Sequence, residues 1–457
     1  MWRVVVSLFA SKLGAVKMDW LSKSASEIGR GIGAGDVDPV ALTEGYLDAV
    51  AASAHGPRIY ARMTRDRALA EAIAAHDRAK QGVRRGLMDG VPISWKDLFD
   101  TAGVTTEAGS KLLEGRVPTA DAEVLANATR AGLVCLGKTH MTELAFSGLG
   151  VNPSTATPPN AHDPALAPGG SSSGAATSVA YGMAAAGIGS DTGGSVRLPS
   201  AWNDLVGFKP THGALSLRGV VPLCESFDTV GPLCRTVEDC AELFAVMGRT
   251  KAPDLRAASL QGTRFAVLNP YADDVREAPG AAFQSAVDRL GKAGAHIDTV
   301  NVPAVDEAMQ TTLSLYTAEA YGTWGKDIEA APDKMFHRIR DRFRQGADVL
   351  AADFVALWQR LRVLRADYYA ATSGYDAVLI PSAANLPPNV ARLDSDDDYF
   401  VTENLLTLRN TRVGNLMGLC AVTLPTGVPS TGLMMMCPPG HDARLLRLAQ
   451  AAEASLA

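Results

Sequence analysis

Serine, glycine and lysine residues in three short segments could together carry out nucleophilic chemistry. GSDTGGSVR (189–197) places two glycines directly before Ser195, GGSSSG (169–174) contains three consecutive serines, and GVPISWKD (90–97) carries Lys96 after an apolar stretch. A serine hydroxyl becomes a good nucleophile when a neighbouring base accepts its proton. A lysine can be that base only as the neutral amine, which requires burial to lower its pKa from about 10.4. The segments therefore predict a serine nucleophile with a lysine base.

Gly193 and Gly194 allow the backbone to turn tightly beside Ser195. Such a turn lets successive N–H groups converge on a carbonyl oxygen and stabilise the negative charge that develops there. The alternative, a structural turn with a surface serine, explains the glycines but not the lysine. Asp191 and Arg197 flank the turn, and an ion pair between them would fix its shape.

The patterns around these segments predict the elements that position them. Strand and helix patterns alternate through most of the chain, which indicates an α/β fold. VPISW predicts a buried strand that carries Lys96. Asp97 would point to the opposite face of that strand and need not neutralise the lysine. AAGIGSD (185–191) predicts a strand that enters the glycine turn, and GAATSVAYGMAAAG (174–187) a closely packed helix of small residues.

Longer stretches of the chain are assigned more coarsely. Residues 121–132 suit a helix and 133–139 a buried strand, whereas 147–170 are expected to form a long loop. Residues 303–372 are expected to be mainly helical, and 380–400 to form a polar loop with an acidic run. That run is expected to be solvated, since metal-binding loops space their carboxylates around a turn glycine.

The first 17 residues, MWRVVVSLFASKLGAVK, are expected to be an extension outside the core. Their short apolar run faintly resembles a signal peptide, but it lacks a clear cleavage site and is too short to span a membrane. The pattern after Met18 predicts a helix capped by Ser24 or Ser26. We therefore expect the native start at Met18 and a single domain over 18–457.

Composition restricts the classes of function. The net charge of −6 disfavours a general nucleic-acid binder, so the predicted partner is a small molecule, and no membrane partner is expected. The six cysteines form no C-x-x-C pair and no histidine cluster has zinc-ligand spacing, so no metal is predicted. Reduced, mostly buried thiols are typical of a cytoplasmic protein. If the chain assembles, a homodimer is the commonest arrangement.

Two short motifs suggest other chemistry. GSSSG (170–174) matches the G-x-S-x-G nucleophile elbow, with Ser172 at its centre, but no apolar strand precedes it. The glycines of GIGSDTGG are not followed by the G-K-[ST] of a phosphate-binding loop. Neither interpretation accounts for Lys96.

The 169–213 segment, GGSSSGAATSVAYGMAAAGIGSDTGGSVRLPSAWNDLVGFKPTHG, resembles the signature of the amidase signature family of Ser-cisSer-Lys hydrolases. The similarity extends over about 25–452 and includes the lysine strand. It implies a central mixed β-sheet of many strands surrounded by helices. It also implies a core motif over 91–240 and a variable, substrate-shaping region at about 300–410.

The resemblance implies a role for individual residues. Ser195 matches the nucleophile and Lys96 the catalytic lysine. Ser171, 24 positions before Ser195 as the family pattern requires, matches the bridging serine that follows a cis peptide. The other implied residues are Thr192, Gly193 and Gly194, with Ser195, in the oxyanion hole; Ser172, Asp191 and Arg197 in support; and Ala145 and Ser147 in the substrate pocket.

The implied function is hydrolysis of a small carboxylic amide through a serine acyl-enzyme, without a cofactor. One alternative is the glutaminase subunit of a tRNA-dependent amidotransferase, although LPSAWNDLVG departs from the glutamine and proline-alanine that usually follow GGSVR in that subgroup. Another is a non-catalytic binding module, which the intact catalytic positions disfavour. A carboxylated substrate would need a pocket arginine, but Arg340, Arg342, Arg360 and Arg362 are expected on helix surfaces.

Overall fold

The alternating strand and helix patterns correspond to an α/β fold built on one mixed sheet. The computed structural model describes residues 18–456, in which 11 strands are ordered β1-β3-β2-β4-β6-β5-β10-β11-β9-β7-β8. The strands are β1 Tyr60–Met63, β2 Pro92–Lys96, β3 Val134–Thr139, β4 Ala186–Asp191, β5 Val206–Lys209, β6 Thr229–Cys234, β7 Arg264–Asn269, β8 His296–Asn301, β9 Ala377–Pro381, β10 Cys420–Pro425 and β11 Gly432–Cys437. The predicted fold class, a mixed sheet surrounded by helices, is confirmed.

Helices surround this sheet and supply most of the remaining structure. The α-helices are Ala25–Ala34, Pro39–Ala52, Gly56–Ile59, Arg65–Lys80, Glu123–Arg130, Ser173–Ala180, Arg197–Trp202, Val237–Gly248, Glu277–Lys292, Pro303–Gln310, Thr312–Ala330, His337–Arg344, Ala351–Thr372, Val390–Ser395, Asp397–Leu416 and Asp442–Leu456. Short 3-10 turns cover Met18–Ser22, Lys111–Leu113, Glu143–Ala145 and Pro332–Lys334.

The parallel pairing of β2 with β4 brings two of the chemically important segments together. Trp95 on β2 lies opposite Ile188 on β4, and both strands are buried along their full length. Parallel strands end at the same edge of a sheet, so Lys96 and Asp191, their last residues, lie at that edge. Strand β6 pairs with β4 in the antiparallel sense and covers its other side.

The helix of small residues packs closely on β4, as its sequence predicts. It covers Ser173–Ala180 and is shorter than the 174–187 pattern, because β4 begins at Ala186. A Cβ atom on Gly187 would lie 2.5 Å from the carbonyl oxygen of Ala175, and one on Gly189 would lie 2.5 Å from Ser172 Oγ. Larger side chains would push the serine-containing segment away from the strand.

The prediction of a polar loop over 380–400 is wrong in its second half. Helix Val390–Ser395 and the start of helix Asp397–Leu416 occupy it instead. The acidic run supplies the cap of the longer helix, because the Asp396 side chain accepts a hydrogen bond from the Tyr399 N–H at 2.9 Å. Carboxylates are favoured at a helix N-terminus, where they accept hydrogen bonds from free N–H groups and interact favourably with the positive end of the helix dipole.

Several smaller expectations are also resolved. Ser24, not Ser26, caps the first α-helix, and its side chain exchanges hydrogen bonds with Glu27 in a capping box. All six cysteines are buried and none forms a disulfide. The expected N-terminal extension, 1–17, lies outside the described residues. None of the helices between 18 and 456 combines the length and the apolar character needed to cross a bilayer.

Candidate active site

The amino group of Lys96 lies between two serine hydroxyls at the end of β2. Lys96 Nζ donates hydrogen bonds to Ser171 Oγ at 2.7 Å and to Ser190 Oγ at 2.8 Å. The side chain is fully buried, and no carboxylate of residues 18–456 lies within 4 Å of its nitrogen. Two neutral hydroxyls are therefore the partners of this amine, and neither carries the charge that would hold it protonated.

Burial lowers the pKa of Lys96 to about 7, against the opposing charges of Asp228 and Asp191. A large fraction of the side chain is then neutral near physiological pH. Asp97 contacts other cations, Lys138 at 3.2 Å and Arg62 at 3.3 Å. The expectation that Asp97 would not neutralise Lys96 is confirmed, because the strand turns their side chains to opposite faces.

Hydrogen bonds hold the serine-containing segment against Thr142 on one side and against β4 on the other. The Gly170–Ser171 peptide bond is cis, as the resemblance implies. The carbonyl oxygen of Ser171 accepts from the Thr142 N–H at 3.2 Å. Ser172 Oγ donates to the carbonyl of Ser190 at 3.2 Å, and the Ser190 N–H donates back to Ser172 Oγ at 3.3 Å. Ser172 therefore ties the Ser171 backbone to the strand that leads to Ser195.

The backbone around Ser195 is fixed through its carbonyl oxygens. Each of the five carbonyls from Asp191 to Ser195 accepts a hydrogen bond from outside the turn. The donors are Thr229 Oγ1 to Asp191 at 2.7 Å, Tyr316 Oη to Thr192 at 2.9 Å, Thr411 Oγ1 to Gly193 at 2.7 Å, Leu198 N to Gly194 at 2.8 Å and Ser172 N to Ser195 at 3.2 Å. These contacts hold the peptide planes, and so the N–H directions, of the turn.

The N–H groups of the same turn divide into two sets. The Gly194 N–H donates to Asp191 Oδ1 at 2.8 Å, so it is already occupied. Within residues 18–456, the N–H groups of Thr192, Gly193 and Ser195 have no acceptor. Gly194 has a φ of +136°, a conformation that side-chain-bearing residues rarely adopt. The expectation that the Gly194 N–H belongs to the oxyanion hole is therefore not met, because that N–H is bonded to Asp191 within the turn. The other three N–H groups are left without a protein acceptor among the described residues.

Asp191 and Arg197 form the ion pair that the sequence suggested, and both side chains are fully buried. Arg197 Nη2 lies 2.9 Å from Asp191 Oδ1, and Arg197 Nε lies 3.0 Å from Oδ2. Arg197 also donates to the Thr411 carbonyl at 2.8 Å and to Asn415 Oδ1 at 2.6 Å. Burial opposes ionisation of Asp191, but the charge and hydrogen bonds of Arg197 outweigh it and hold the pKa of Asp191 below its ordinary range.

A cavity of 560 Å³ opens in front of Ser195. Five of the site residues that the resemblance implies line it, namely Ala145, Ser147, Thr192, Gly193 and Ser195. Lys96 and Ser171 lie behind this surface and are fully buried. The opposite walls come from helices within 303–345 and from helix Asp397–Leu416, inside the region expected to shape the substrate site.

The expectation that the four arginines would lie on helix surfaces is wrong for one of them. Arg342 lines the cavity and donates to the Phe146 carbonyl at 2.9 Å. Arg340 contacts Asp341 at 2.9 Å, Arg360 pairs with half-exposed Glu307, and Arg362 is exposed. Arg342 faces the cavity because it shares one side of its helix with Arg338 and Gln345, which lie at i−4 and i+3 and also line the cavity.

Sequence reasoning missed several residues of the site. Ser190 lies inside the quoted GSDTGGSVR segment, and its position one residue before Asp191 was the available signal. Tyr316, Thr411, Asn404 and Arg412 reach the site from helices more than 100 residues downstream. No local motif marks them, since only the three-dimensional packing of those helices brings them to Ser195.

The chain is similar in sequence and in structure to known amidases and related proteins. A family model described as Amidase matches residues 41–446. The chain is 34% identical over 412 residues to the 2-amino-5-chloromuconic acid deaminase of Comamonas testosteroni, covering 87% of this chain and 89% of that protein. It is 31% identical to a glutamyl-tRNA(Gln) amidotransferase subunit from Acidothermus cellulolyticus, covering 96% and 95%. A crystal structure of an amidase superposes with a TM-score of 0.86 at 27% identity, covering 95% and 100%.

Proposed function

Because the chain belongs to the amidase family, whose model matches residues 41–446, we propose that it hydrolyses a small carboxylic amide through an acyl-enzyme on Ser195. The family consists of hydrolases that act on carbon–nitrogen amide bonds. One observation carries the specific proposal. Lys96, buried and without a carboxylate partner among residues 18–456, donates to Ser171 at 2.7 Å beside the turn that presents Ser195 to the cavity.

In the first half of the reaction, Ser195 Oγ attacks the amide carbon. The Ser195 proton passes to Ser171 Oγ while the Ser171 proton passes to Lys96 Nζ, so the amine becomes an ammonium ion. The carbonyl oxygen becomes an alkoxide, and the N–H groups of Thr192, Gly193 and Ser195 donate to it. The carbon–nitrogen bond then breaks, and the leaving amine takes back one proton from Lys96 through Ser171.

In the second half, water takes the place of Ser195 as the nucleophile and the same proton relay operates again. A water molecule gives one proton through Ser171 to the neutral Lys96 and attacks the ester carbon of the acyl-enzyme. The bond to Ser195 Oγ breaks, the serine regains a proton from the relay, and the carboxylic acid leaves. The chain is unchanged after one amide and one water have become one acid and one ammonia or amine.

The second candidate is the glutaminase component of a tRNA-dependent amidotransferase. It is favoured by the 31% identity to the amidotransferase chain of Acidothermus cellulolyticus, a similarity that covers 96% of this chain. The sequence after Arg197, LPSAWNDLVG, departs from that subgroup and weighs against it. The 34% identity to a 2-amino-5-chloromuconic acid deaminase suggests a third reaction, so 2-amino-5-chloromuconic acid belongs in the substrate panel.

The test is ammonia release from a panel of primary amides that includes glutamine, with the wild type compared with Lys96→Ala and Ser195→Ala. We expect release from an amide other than glutamine, and its loss in both variants. Ser173→Ala is the matched control, since the hydroxyl of Ser173 makes a single long hydrogen bond within residues 18–456, at 3.5 Å to the His140 carbonyl. A Ser195→Ala protein with full activity would contradict the proposal, and release from glutamine alone would favour the amidotransferase component.

Labelling with a serine-reactive phosphonate gives an independent readout that does not depend on the choice of amide. The wild type should be labelled once, on the peptide that contains Ser195, and Ser195→Ala should not be labelled. Absence of labelling in a folded wild-type protein would favour a non-catalytic binding module.

A further inference from the structure

Among the described residues, three arginines line the same cavity as Ser195, and one of them, Arg338, is paired with Asp397. The other two come from different helices. Arg342 comes from helix His337–Arg344, and Arg412 comes from helix Asp397–Leu416. Arg412 is 8% exposed, and its Cγ lies 3.7 Å from the point that a Cβ atom on Gly193 would occupy. Its side chain therefore packs directly against the turn that presents the free N–H groups.

Neither guanidinium has a carboxylate partner in the part of the chain that the structure describes. Arg342 donates to the carbonyl of Phe146, and its Cζ lies 4.3 Å from the centre of the Phe146 ring. Arg412 makes no ion pair within 4 Å and no side-chain hydrogen bond within residues 18–456. Buried or partly buried charges are normally paired, so this arrangement leaves two cations that an anion could neutralise.

The carboxylates of the cavity are already engaged by other arginines. Asp397 and Asp341 line the cavity, and their side chains are 68% and 56% exposed. Asp397 accepts from Arg338 Nε at 2.6 Å, and Asp341 accepts from Arg340 Nε at 2.9 Å. The cavity is therefore positive in its interior, while its acidic groups are neutralised at the rim.

The proximity of the two guanidiniums adds to the cost of leaving them without an anion. Burial lowers the pKa of Arg342 to about 9, and the nearby charge of Arg412 acts in the same direction. Burial also lowers the pKa of Arg412 to about 10. Both groups still carry a positive charge at neutral pH, so an anion between them would relieve repulsion as well as desolvation.

A third donor lies on the same wall. Asn404 Oδ1 accepts from Ser147 Oγ and from the Gly148 N–H, both at 2.9 Å. These bonds orient the amide, and its NH₂ group has no acceptor within residues 18–456. The rest of this wall is apolar, with Phe400, Leu405 and Leu408, which suits a short carbon chain.

We propose that the substrate is the half-amide of a dicarboxylic acid, whose free carboxylate is bound by Arg412 and Arg342 while its amide carbonyl contacts the 192–195 turn. This inference rests on the proposed amidase function. The leaving group of a primary amide is ammonia, so the anion must belong to the acyl part. Glutamine fits less well, because its ammonium group would find only the arginine-paired carboxylates at the rim.

The test compares kcat/KM for half-amides and for neutral amides of matched length. Succinamic acid is paired with butyramide, and glutaramic acid with valeramide, with glutamine added as the ammonium-bearing analogue of glutaramic acid. We expect the wild type to prefer the charged member of at least one pair by about 10²-fold, and to prefer glutaramic acid to glutamine. In Arg412→Met and Arg342→Met this preference should fall by about 10²-fold, the usual effect of removing one partner of a buried charge pair.

Arg360→Met is the matched control, since Arg360 pairs with half-exposed Glu307 away from the cavity. It should retain the wild-type preference. Calorimetric titration with glutarate, the product of glutaramic acid, gives a second readout that does not require turnover. We expect the Kd of glutarate to rise about 10²-fold in Arg412→Met and to stay unchanged in Arg360→Met.

The outcomes separate this inference from the proposed function. The carboxylate site would be overturned if the wild type hydrolysed neutral amides as fast as half-amides. It would also be overturned if the arginine variants lost equal activity on both kinds of amide. Either result would leave the proposed amidase function intact. Absence of ammonia from every amide, together with absence of phosphonate labelling, would overturn the proposed function and this inference with it. Failure of the folded wild type to bind glutarate would count against the carboxylate site alone.

Discussion

Lys96 Nζ lies 2.7 Å from Ser171 Oγ, and the lysine side chain is fully buried with no carboxylate of residues 18–456 within 4 Å. A buried lysine normally has an ion-pair partner, as Lys138 has in Asp97 at 3.2 Å. Lys96 instead has two serine hydroxyls, so a large fraction of the amine is neutral near pH 7. This contact therefore predicts how activity depends on pH.

We expect kcat/KM to rise with pH and to reach its plateau above a midpoint of about 7, the value to which burial lowers the pKa of Lys96. Below that pH the amine is protonated and cannot accept a proton from the serines. The rate should therefore fall about tenfold for each pH unit on the acid side. The measurement is kcat/KM for one amide across the pH range in which the protein stays folded.

Two variants control for other groups whose pKa also lies near that of Lys96. Burial lowers the pKa of Lys209 to about 8, and burial raises the pKa of Glu453 to about 7. Neither residue lines the cavity, so Lys209→Met and Glu453→Gln should keep the acid-side midpoint. Residual activity of Lys96→Ala should not depend on pH near 7. A midpoint that survives in Lys96→Ala, or disappears in Glu453→Gln, would contradict the assignment.

Ser171→Ala should lower kcat with little change in KM, because it removes the hydroxyl that contacts Lys96 and that passes the proton of Ser195 in the proposed relay, and Ser171 does not line the cavity. Positioned proton transfer contributes about 10² to 10⁴ in rate, and a loss in that range is expected. Ser173→Ala changes a serine of the same run that has no contact with Lys96, and it should behave as the wild type. Similar losses in the two variants would indicate a packing effect and not a relay.

Much of the architecture could be predicted because the decisive signals are local in sequence. The apolar pattern before Lys96, the strand that enters the glycine turn and the small-residue helix each lie within about 15 residues, and each is present at or close to its predicted position. The prolines and acidic residues of the 380–400 segment are typical of loops and predict one there. The last part of that segment is instead a helix start, where Asp396 acts as the cap.

The cavity could not be predicted from local pattern. Tyr316, Thr411 and Arg412 are recognised as site residues only from the packing of their helices against the 191–195 turn. Arg342 resembles its neighbours Arg340 and Arg344 in sequence, and it differs from them because its side chain lines the cavity while theirs pair with Asp341 and Glu329. The sequence also does not show which N–H groups of the turn lack an acceptor, because that depends on the hydrogen bond from the Gly194 N–H to the Asp191 carboxylate.

Gly194→Ala should disrupt the turn, whereas Gly193→Ala should be accommodated. Gly194 has a φ of +136°, and a Cβ atom there would lie 2.1 Å from Thr411 Oγ1. Thr411 cannot move aside without losing its bond to the Gly193 carbonyl. A Cβ atom on Gly193 meets nothing closer than 3.7 Å.

We therefore expect Gly194→Ala to lose about 1–3 kcal/mol or more of unfolding free energy from backbone strain alone, and at least about 10² in kcat/KM. Gly193→Ala should retain the wild-type unfolding midpoint. Urea unfolding and amide hydrolysis check both variants. A Gly194→Ala protein with wild-type stability and activity would show that the turn does not require glycine at that position.

Arg197→Met should strongly destabilise the protein, because it leaves the buried carboxylate of Asp191 without its counter-charge. Removing one partner of a buried ion pair costs about 3–5 kcal/mol. Arg264→Met is the control, since Arg264 and Asp298 form a pair with half-exposed side chains, and it should change the free energy of unfolding by less than about 1 kcal/mol. Urea unfolding at neutral pH measures both effects.

The destabilisation in Arg197→Met should also depend on pH in a defined direction. In the wild type the pKa of Asp191 lies below its ordinary value of about 3.8, so the pair contributes fully above that pH and its contribution is lost as the pH falls. In Arg197→Met the uncompensated carboxyl should have a raised pKa, so protonation stabilises the variant as the pH falls. The difference in unfolding free energy between wild type and variant should therefore shrink from about pH 7 to about pH 4. A difference that stays constant or grows toward low pH would show that the loss comes from packing around Arg197 and not from its charge.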